Sequence, residues 1–206
     1  MSESTELANK GFLVILLGVE DVVGKRGMAT ILRQANLSQY INHYPPSDME
    51  KGGHELKYMA QINHALFDIY GVRGAKAILH RVGRERWKNA TAENGALASA
   101  TKIALKFLPR RRQLKLALDV ASKAYSEQLN TTVRIGEESN CFYWEDPTCG
   151  NCMEWKSDIP VCYTTAGFVH GLAAWATGSE DWRVDEVQCR ARGDAVCRHQ
   201  IIAVER

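Results

Sequence analysis

The cysteines of this chain are confined to its last third, and this distribution constrains the fold more than any other feature of the sequence. The 206 residues contain six cysteines, none of them in the first 140 residues. They are Cys141, Cys149, Cys152, Cys162, Cys189 and Cys197. A disulfide-stapled secreted fold would be shorter and more evenly cross-linked. The clustering therefore favours metal ligation or redox chemistry in one C-terminal region.

The N-terminal region lacks the features of a secretory signal. Residues 1–9 are polar and acidic and precede the short apolar run Gly11–Val19, whereas a signal peptide has a basic leader and a small-residue cleavage site. The run is also too short to cross a bilayer, which takes about 20 apolar residues. We therefore expect a cytoplasmic protein with no membrane span, in which residues 1–10 form a tail before the first buried helix.

The composition indicates one ordinary globular domain, which we place at residues 11–206. Hydrophobic residues make up 45% of the chain and charged residues 24%, as in typical soluble domains. The net charge is only +2, so no strong field directs the protein toward nucleic acid or an anionic membrane. We expect no nucleic-acid partner.

The hydrophobic pattern changes its period near residue 130. Before this point it is helical, with breaks at Gly24 and Gly27, at Pro45-Pro46, and at Gly71 and Gly74. One of the helices is expected to begin at His54. Helices that precede strands, without alternation between the two, are typical of an α+β fold. The sequence thus predicts a helical part, 11–130, packed on a small antiparallel sheet in 131–206.

Four strands and one helix are predicted in the second part. Thr132–Glu137 and Cys141–Glu145 have the alternation of strands, and Val161–Thr177 has a helical stripe. The segments Arg183–Arg190 and Ala195–Val204 form a hairpin that turns at Gly193-Asp194. Asp146–Pro160 is predicted to be a loop.

The hairpin brings two cysteines together. Cys189 and Cys197 are equidistant from Gly193, and directly opposed Cβ atoms are about 4.5–5.5 Å apart, close enough for two thiolates to share a zinc ion. Glu186 precedes Cys189 by three residues, so joint ligation requires a β-bulge. Cys162, at the start of the preceding helix, can supply a fourth ligand. Buried unligated thiols or a cross-strand disulfide are the alternatives.

The motif Cys149-Gly-Asn-Cys152 adds a second thiol pair. A Cys-x-x-Cys is a metal knuckle or a redox pair. Together with Cys162, and with Cys141 nearby in the sequence, it can compete for the same metal, hold a second metal, bind an iron–sulfur cluster, or act as a thiol switch. Idle reduced thiols in an exposed loop are the remaining interpretation.

Several segments together resemble the 4-vinyl reductase domain family, over nearly the whole chain from Gly18 to Val204. The most specific is the C-terminal motif, and the others support it. They are Glu186-x-x-Cys189-x-Ala191-x-Gly193-Asp194-x-x-Cys197-Arg198, Pro160-Val161-Cys162, Gly167–Gly171, Asn42-x-Tyr44-Pro45-Pro46 and Tyr70-Gly71-x-Arg73-Gly74.

This resemblance implies a fold, a metal site and a mode of action. The family fold is an α+β unit related to TRAPP subunits and is often dimeric, so a homodimer formed through the N-terminal helices is expected. In the phenol sensors of this family a structural zinc is held by residues that match Cys162, Glu186, Cys189 and Cys197. Family members bind small apolar molecules, and one relative belongs to the bacteriochlorophyll pathway.

A ligand site should be mostly apolar with one or two orienting polar groups. Trp144 lies near the position of the tryptophan that contacts the ligand in the phenol sensors, while His64 and His80 compete for the role of the histidine. Phe142, Phe168 and Trp175 are the other candidates for the lining. Each of these aromatic residues can equally be a core residue.

We therefore interpret the chain as a small-molecule binding domain for a hydrophobic, aromatic or tetrapyrrole-like ligand, with a structural zinc, acting as a carrier, sensor or accessory factor. The alternatives are a pigment-pathway vinyl reductase or its accessory protein, and a cysteine-based redox sensor. The sequence has no recognisable nicotinamide site to supply a hydride, so an enzyme is the less favoured interpretation.

Overall fold

The computed structural model describes residues 6–93, 95–129 and 131–204. Residues 1–5 of the expected N-terminal tail lie outside the described residues. In the described part the chain forms five α-helices and six strands in two antiparallel sheets, which confirms the predicted α+β class. None of the described helices is long and apolar enough to span a membrane.

The N-terminal half is built on two long, bent helices. Helix α1 (Asn9–Gln34) and helix α2 (Tyr58–Glu93) both pass through a glycine with positive φ, at Gly24 and Gly71. Such a conformation is available to glycine at little steric cost. The breaks predicted at these two glycines are therefore confirmed as bends between helical segments. The breaks predicted at Gly27 and Gly74 are wrong, because both residues continue the helical backbone.

Each of these helices is preceded by one strand of a small sheet that was not predicted from the sequence. Strand β1 (Glu6–Ala8) pairs with strand β2 (Lys51–Glu55). His54, expected to begin a helix, lies in β2, and α2 begins at Tyr58. The His54 ring is buried between two hydrogen-bond partners, with Nδ1 2.7 Å from the Tyr40 hydroxyl and Nε2 2.8 Å from Asn9 Oδ1. These long-range contacts hold the segment in the strand.

The C-terminal half follows the predicted order closely. Helices α3 (Gly95–Leu105) and α4 (Arg110–Leu129) lead into strands β3 (Arg134–Glu137) and β4 (Cys141–Asp146). Helix α5 (Tyr163–Thr177) and strands β5 (Trp182–Gln188) and β6 (Cys197–Ala203) complete the chain. The strand order is β3-β4-β6-β5, so β6 lies inside the sheet between β4 and β5.

Helix α5 is held against α2 at a glycine-to-glycine contact. A Cβ atom added at Gly167 would lie 1.9 Å from the carbonyl oxygen of His80, and one at Gly83 would lie 2.1 Å from that of Thr164. Both helices therefore need glycine at this crossing. Because α5 begins directly after Cys162, this contact also sets the position of that cysteine.

Candidate metal centre and ligand site

Five of the six cysteines converge on one buried point between the β5–β6 hairpin, the start of α5 and the loop after β4. They form a satellite cluster, separate from the main core, with Val161 and Ala191. Each of the five thiols belongs to a residue no more than 3% exposed. They are Cys149, Cys152, Cys162, Cys189 and Cys197.

The β5–β6 hairpin has the geometry that the sequence predicts. Its ladder pairs Gln188 with Arg198 and would next bring Cys189 opposite Cys197. The register shifts between Glu186 and Gln188, which is the bulge needed to turn Glu186 and Cys189 toward the same side. The turn residue Gly193 has φ +95°, and Asp194 Oδ2 accepts a 2.8 Å hydrogen bond from the Cys189 N–H.

The four residues that match the ligands of the phenol sensors lie together. The ligand atoms of Cys162, Glu186, Cys189 and Cys197 are all within 4.8 Å of one another. The Cys162 sulfur is 4.0 Å from that of Cys189 and 3.7 Å from that of Cys197. Glu186 accepts a 2.7 Å hydrogen bond from the Cys162 N–H through Oε2, while its buried Oε1 has no partner among the described residues. This second oxygen is available as a ligand.

The Cys149–Cys152 loop brings two further thiols to the same point. The Cys149 sulfur lies 3.7 Å from that of Cys162, and the Cys152 sulfur lies 3.4 Å from that of Cys197. These four cysteines form a second set whose ligand atoms are within 4.8 Å of one another. The loop is therefore part of the buried centre, which differs from the interpretation of exposed, idle thiols.

Cys141 is not part of either set. It lies at the opposite end of β4, paired with Ile202, and its sulfur is 3.7 Å from Gln200 Nε2 and 3.9 Å from Glu138 Oε2. The expected grouping of Cys141 with Cys149 and Cys152 is therefore wrong, because the length of β4 separates Cys141 from the other two.

The electrostatics of the cluster suit a cation. Burial raises the pKa of Glu186 to about 8 and raises that of Cys162 well above its ordinary value. In contrast, hydrogen bonds with Cys152 and then Cys162 lower the pKa of Cys149 well below its ordinary value. A lowered thiol pKa favours the thiolate, which is the form that binds metal.

His199 is a buried residue of the centre that the sequence analysis missed. It is fully buried, it pairs with Trp144 on one side and Glu186 on the other, and its Nε2 lies 3.2 Å from the Cys162 carbonyl oxygen. The alternation of side chains along β6 could have indicated His199, because this residue follows Cys197 by two positions and therefore lies on the same face of the sheet.

The predicted ligand residues fall into separate places. Trp144 is fully buried in the main core, with its ring 5.3 Å from that of Tyr125 and 5.9 Å from that of Phe168. Phe142 lies two residues before Trp144 on the same face of β4 and in the same core, with the guanidinium of Arg111 over its ring. His64 is not in this core: its side chain is 54% exposed, and its ring packs on Trp155 beside the cysteine cluster.

A row of aromatic rings connects Trp144 to the surface. From Phe168 the row continues to Trp87, at 5.5 Å, and then to Trp175, at 5.4 Å. Trp87 and Trp175 line a surface cleft of about 550 Å³. The rim of the cleft carries charged side chains, which are Arg84, Glu85, Lys88, Lys102 and Glu180. The second histidine candidate, His80, packs against His170.

Three buried donors in this region lack a partner. They have no hydrogen-bond partner among the described residues, and they are the indole Nε1 of Trp144, the indole Nε1 of Trp87 and the Nε of Arg86. Arg86 is only 3% exposed and its guanidinium lies 5.9 Å from the Tyr125 ring centroid. Burial lowers the pKa of Arg86. No pattern in the sequence indicated Arg86, because its burial results from packing between separate helices.

Residues 144–203 match the family model of the 4-vinyl reductase domain. This is the domain that the C-terminal motif resembles, so the resemblance is confirmed for this segment. The match runs from β4 to β6 and contains all five cysteines of the centre. No curated protein sequence matches the chain.

Solved structures share the fold of most of the chain. An H-NOX protein from S. oneidensis, in its Fe(II)NO ligation state, is 11% identical with a TM-score of 0.58 and covers 94% of this chain and 99% of its own. The phenol-responsive sensory domain of the transcription activator PoxR, solved with phenol, is 13% identical with a TM-score of 0.52, covering 84% and 90%. The Fe(II) unliganded H-NOX protein from K. algicida is 15% identical, with a TM-score of 0.53, covering 96% and 97%. At these identities the likeness concerns the fold alone.

Proposed function

We propose that this chain, whose residues 144–203 carry a 4-vinyl reductase domain, is a sensory domain that binds a small aromatic molecule, with a structural zinc beside the ligand site. The observation that carries the proposal is the buried indole N–H of Trp144, which has no acceptor among the described residues. A buried donor without an acceptor costs about 1–3 kcal/mol. A ligand oxygen at this position would remove that cost.

The surroundings of Trp144 favour an aromatic ligand that carries an oxygen. Aromatic rings pair edge to face with one another, and the row from Trp144 through Phe168 and Trp87 to Trp175 offers such contacts from the interior to the surface cleft. The unpaired Nε of Arg86 and the unpaired Nε1 of Trp87 add two further donors. The PoxR sensory domain, which shares this fold, was solved with phenol, and a phenol is a molecule of this class.

The proposed zinc ligands are Cys162, Glu186, Cys189 and Cys197. Their atoms lie close enough together for one tetrahedral ion, and the free Glu186 Oε1 supplies the oxygen. The ion would join the start of α5 to the hairpin. The satellite cluster contains few apolar side chains, so coordination would replace hydrophobic contacts as the source of stability there.

The burial of the thiols disfavours the redox alternative. Redox-sensing cysteines are solvent-accessible, whereas the five thiols of the centre belong to residues exposed by 3% or less. A homodimer formed through the N-terminal helices stays a prediction from the family resemblance.

Calorimetric titration of the full chain with phenol and with indole tests the ligand proposal. We expect binding of phenol by the wild type and a loss of about tenfold in affinity for Trp144→Phe, which corresponds to one hydrogen bond of about 1.4 kcal/mol. Trp182→Phe is the matched control, because the Trp182 indole already donates to Thr177 Oγ1 at 2.8 Å. Absence of phenol binding by the wild type, or equal affinity of Trp144→Phe and the wild type for phenol, would refute the proposal.

A further inference from the structure

Six ligand groups, rather than four, meet at the metal centre. They form two sets of four, and within each set all ligand atoms lie within 4.8 Å of one another. The first set is Cys149, Cys152, Cys162 and Cys197, and the second is Cys162, Glu186, Cys189 and Cys197. The sets share two sulfurs, those of Cys162 and Cys197, which are 3.7 Å apart.

The sulfur separations match the edges of tetrahedral metal sites. A tetrahedral ion with metal–sulfur bonds of about 2.3 Å places its ligands about 3.8 Å apart. The pair Cys149–Cys162 is separated by 3.7 Å in the first set, and Cys162–Cys189 by 4.0 Å in the second. Each set therefore has the dimensions of a complete site by itself.

One ion cannot use all six groups. A tetrahedral ion takes four ligands, so an ion in the second set leaves Cys149 and Cys152 unligated, and an ion in the first set leaves Glu186 and Cys189 unligated. Either pair would remain buried against an anionic thiolate centre. A second cation would ligate the remaining pair and offset its charge.

The Cys149–Cys152 loop is positioned for ligation by buried contacts. Asn63 of α2 donates a 3.0 Å hydrogen bond to the Asn151 carbonyl oxygen, and the Asn151 side chain donates a 2.9 Å bond to Thr165 Oγ1 of α5. A Cβ atom at Gly150 would lie 2.7 Å from the Leu56 side chain. The loop is thus packed between two helices, and its two sulfurs face Cys162 and Cys197.

We propose that the centre holds two zinc ions bridged by the thiolates of Cys162 and Cys197. Cys149 and Cys152 complete the coordination of one ion, and Glu186 and Cys189 complete that of the other. No electrons are transferred on binding, and the protons held by the thiols and the carboxyl group pass to solvent. This inference rests on the proposed function for the ion held by Glu186 and Cys189, and it adds the ion held by Cys149 and Cys152.

Metal content tests the number of ions and their ligands. The full chain, saturated with zinc and freed of excess, should contain two ions per molecule by elemental mass spectrometry. Cys152→Ser and Cys189→Ser should each retain one ion, while the control Cys141→Ser should retain two because Cys141 lies at the far end of β4. One ion in the saturated wild type would overturn the proposal, as would two ions in both Cys152→Ser and Cys189→Ser.

Cobalt substitution tests the bridge in the wild type, without depending on the folding of variants. The electron paramagnetic resonance signal of Co²⁺ should grow to one equivalent and then decrease toward two, because ions that share thiolates couple antiferromagnetically. Linear growth to two equivalents, or saturation at one, would overturn the bridge, as would two irons with inorganic sulfide in the purified protein. A single zinc ion that is retained by Cys152→Ser but not by Cys189→Ser would refute the pair of bridged ions. It would leave the single-zinc site of the proposed function intact. The phenol titration remains independent of both results.

Discussion

The substitution Gly167→Ala should loosen α5 and disturb the metal centre from a distance. The added Cβ atom would lie 1.9 Å from the His80 carbonyl oxygen and 2.7 Å from the His80 carbonyl carbon. Ordinary contact begins near 3.4 Å, so the α2 and α5 backbones must separate by about 1.5 Å at this point. Carbonyl groups within a helix cannot rotate away without breaking the helical hydrogen bonds.

The expected cost combines strain with an altered metal site. Overpacking of a close-packed interior costs about 1–3 kcal/mol. Helix α5 starts directly after Cys162, and metal–ligand distances tolerate about 0.2 Å. A shift of α5 by several times that tolerance should therefore lower zinc affinity as well as the free energy of unfolding.

Gly171→Ala is the matched control, one helical turn further along α5. Its Cβ atom would lie 3.3 Å from the Trp87 Cβ atom, a contact that a small adjustment relieves. In a helix, alanine is about 0.5–1 kcal/mol more favourable than glycine, so this variant should be as stable as the wild type or more so. Urea unfolding gives the free energies, and competition with a chromogenic chelator gives the zinc affinities. Equal stability and equal zinc affinity of the two variants would refute the reasoning.

Buried polar groups lead to three further predictions. Arg86→Met should leave the free energy of unfolding unchanged or raise it, because an apolar side chain of similar length replaces a buried charge. Thermal unfolding measures this, and a loss above about 3 kcal/mol would show that the guanidinium is stabilising. Asn63→Ala should lower the free energy of unfolding by about 1–3 kcal/mol, because it removes the hydrogen bond to Asn151. The zinc content should fall as well. An unchanged zinc content would show that the Cys149–Cys152 loop does not need this hydrogen bond. After chelation, the wild type should lose stability relative to Glu186→Gln as the pH rises from about 5 to 8. Burial raises the pKa of Glu186 from 4.5 to about 8. Its contribution to stability is therefore complete below pH 4.5 and is lost as the pH rises toward 8. Urea unfolding measures the stability of both proteins, and parallel pH curves would contradict this prediction.

The sequence by itself determined the features that depend on near neighbours. The equal spacing of Cys189 and Cys197 about Gly193 placed both cysteines at the turn end of the hairpin, directly beyond the last ladder pair, because a turn and a strand ladder set register over a few residues. The three-residue offset between Glu186 and Cys189 required a bulge for joint ligation, and the register shifts between these two residues. The bends at Gly24 and Gly71 use the positive φ that glycine allows, but Gly27 and Gly74 in the same helices stay helical.

Only the tertiary structure decided the features that depend on contacts between distant segments. Strand β2 forms because it pairs with β1, more than forty residues earlier in the chain, although its sequence, Lys51–Glu55, contains no β-branched residue. Cys149 and Cys152 join the buried cysteine cluster, while Cys141 does not, because hydrogen bonds to α2 and α5 hold the Cys149–Cys152 loop in place. The burial of Arg86 beside Tyr125 likewise depends on how separate helices pack. Local spacing cannot encode such positions, since they result from the summed packing of residues that are far apart in the chain.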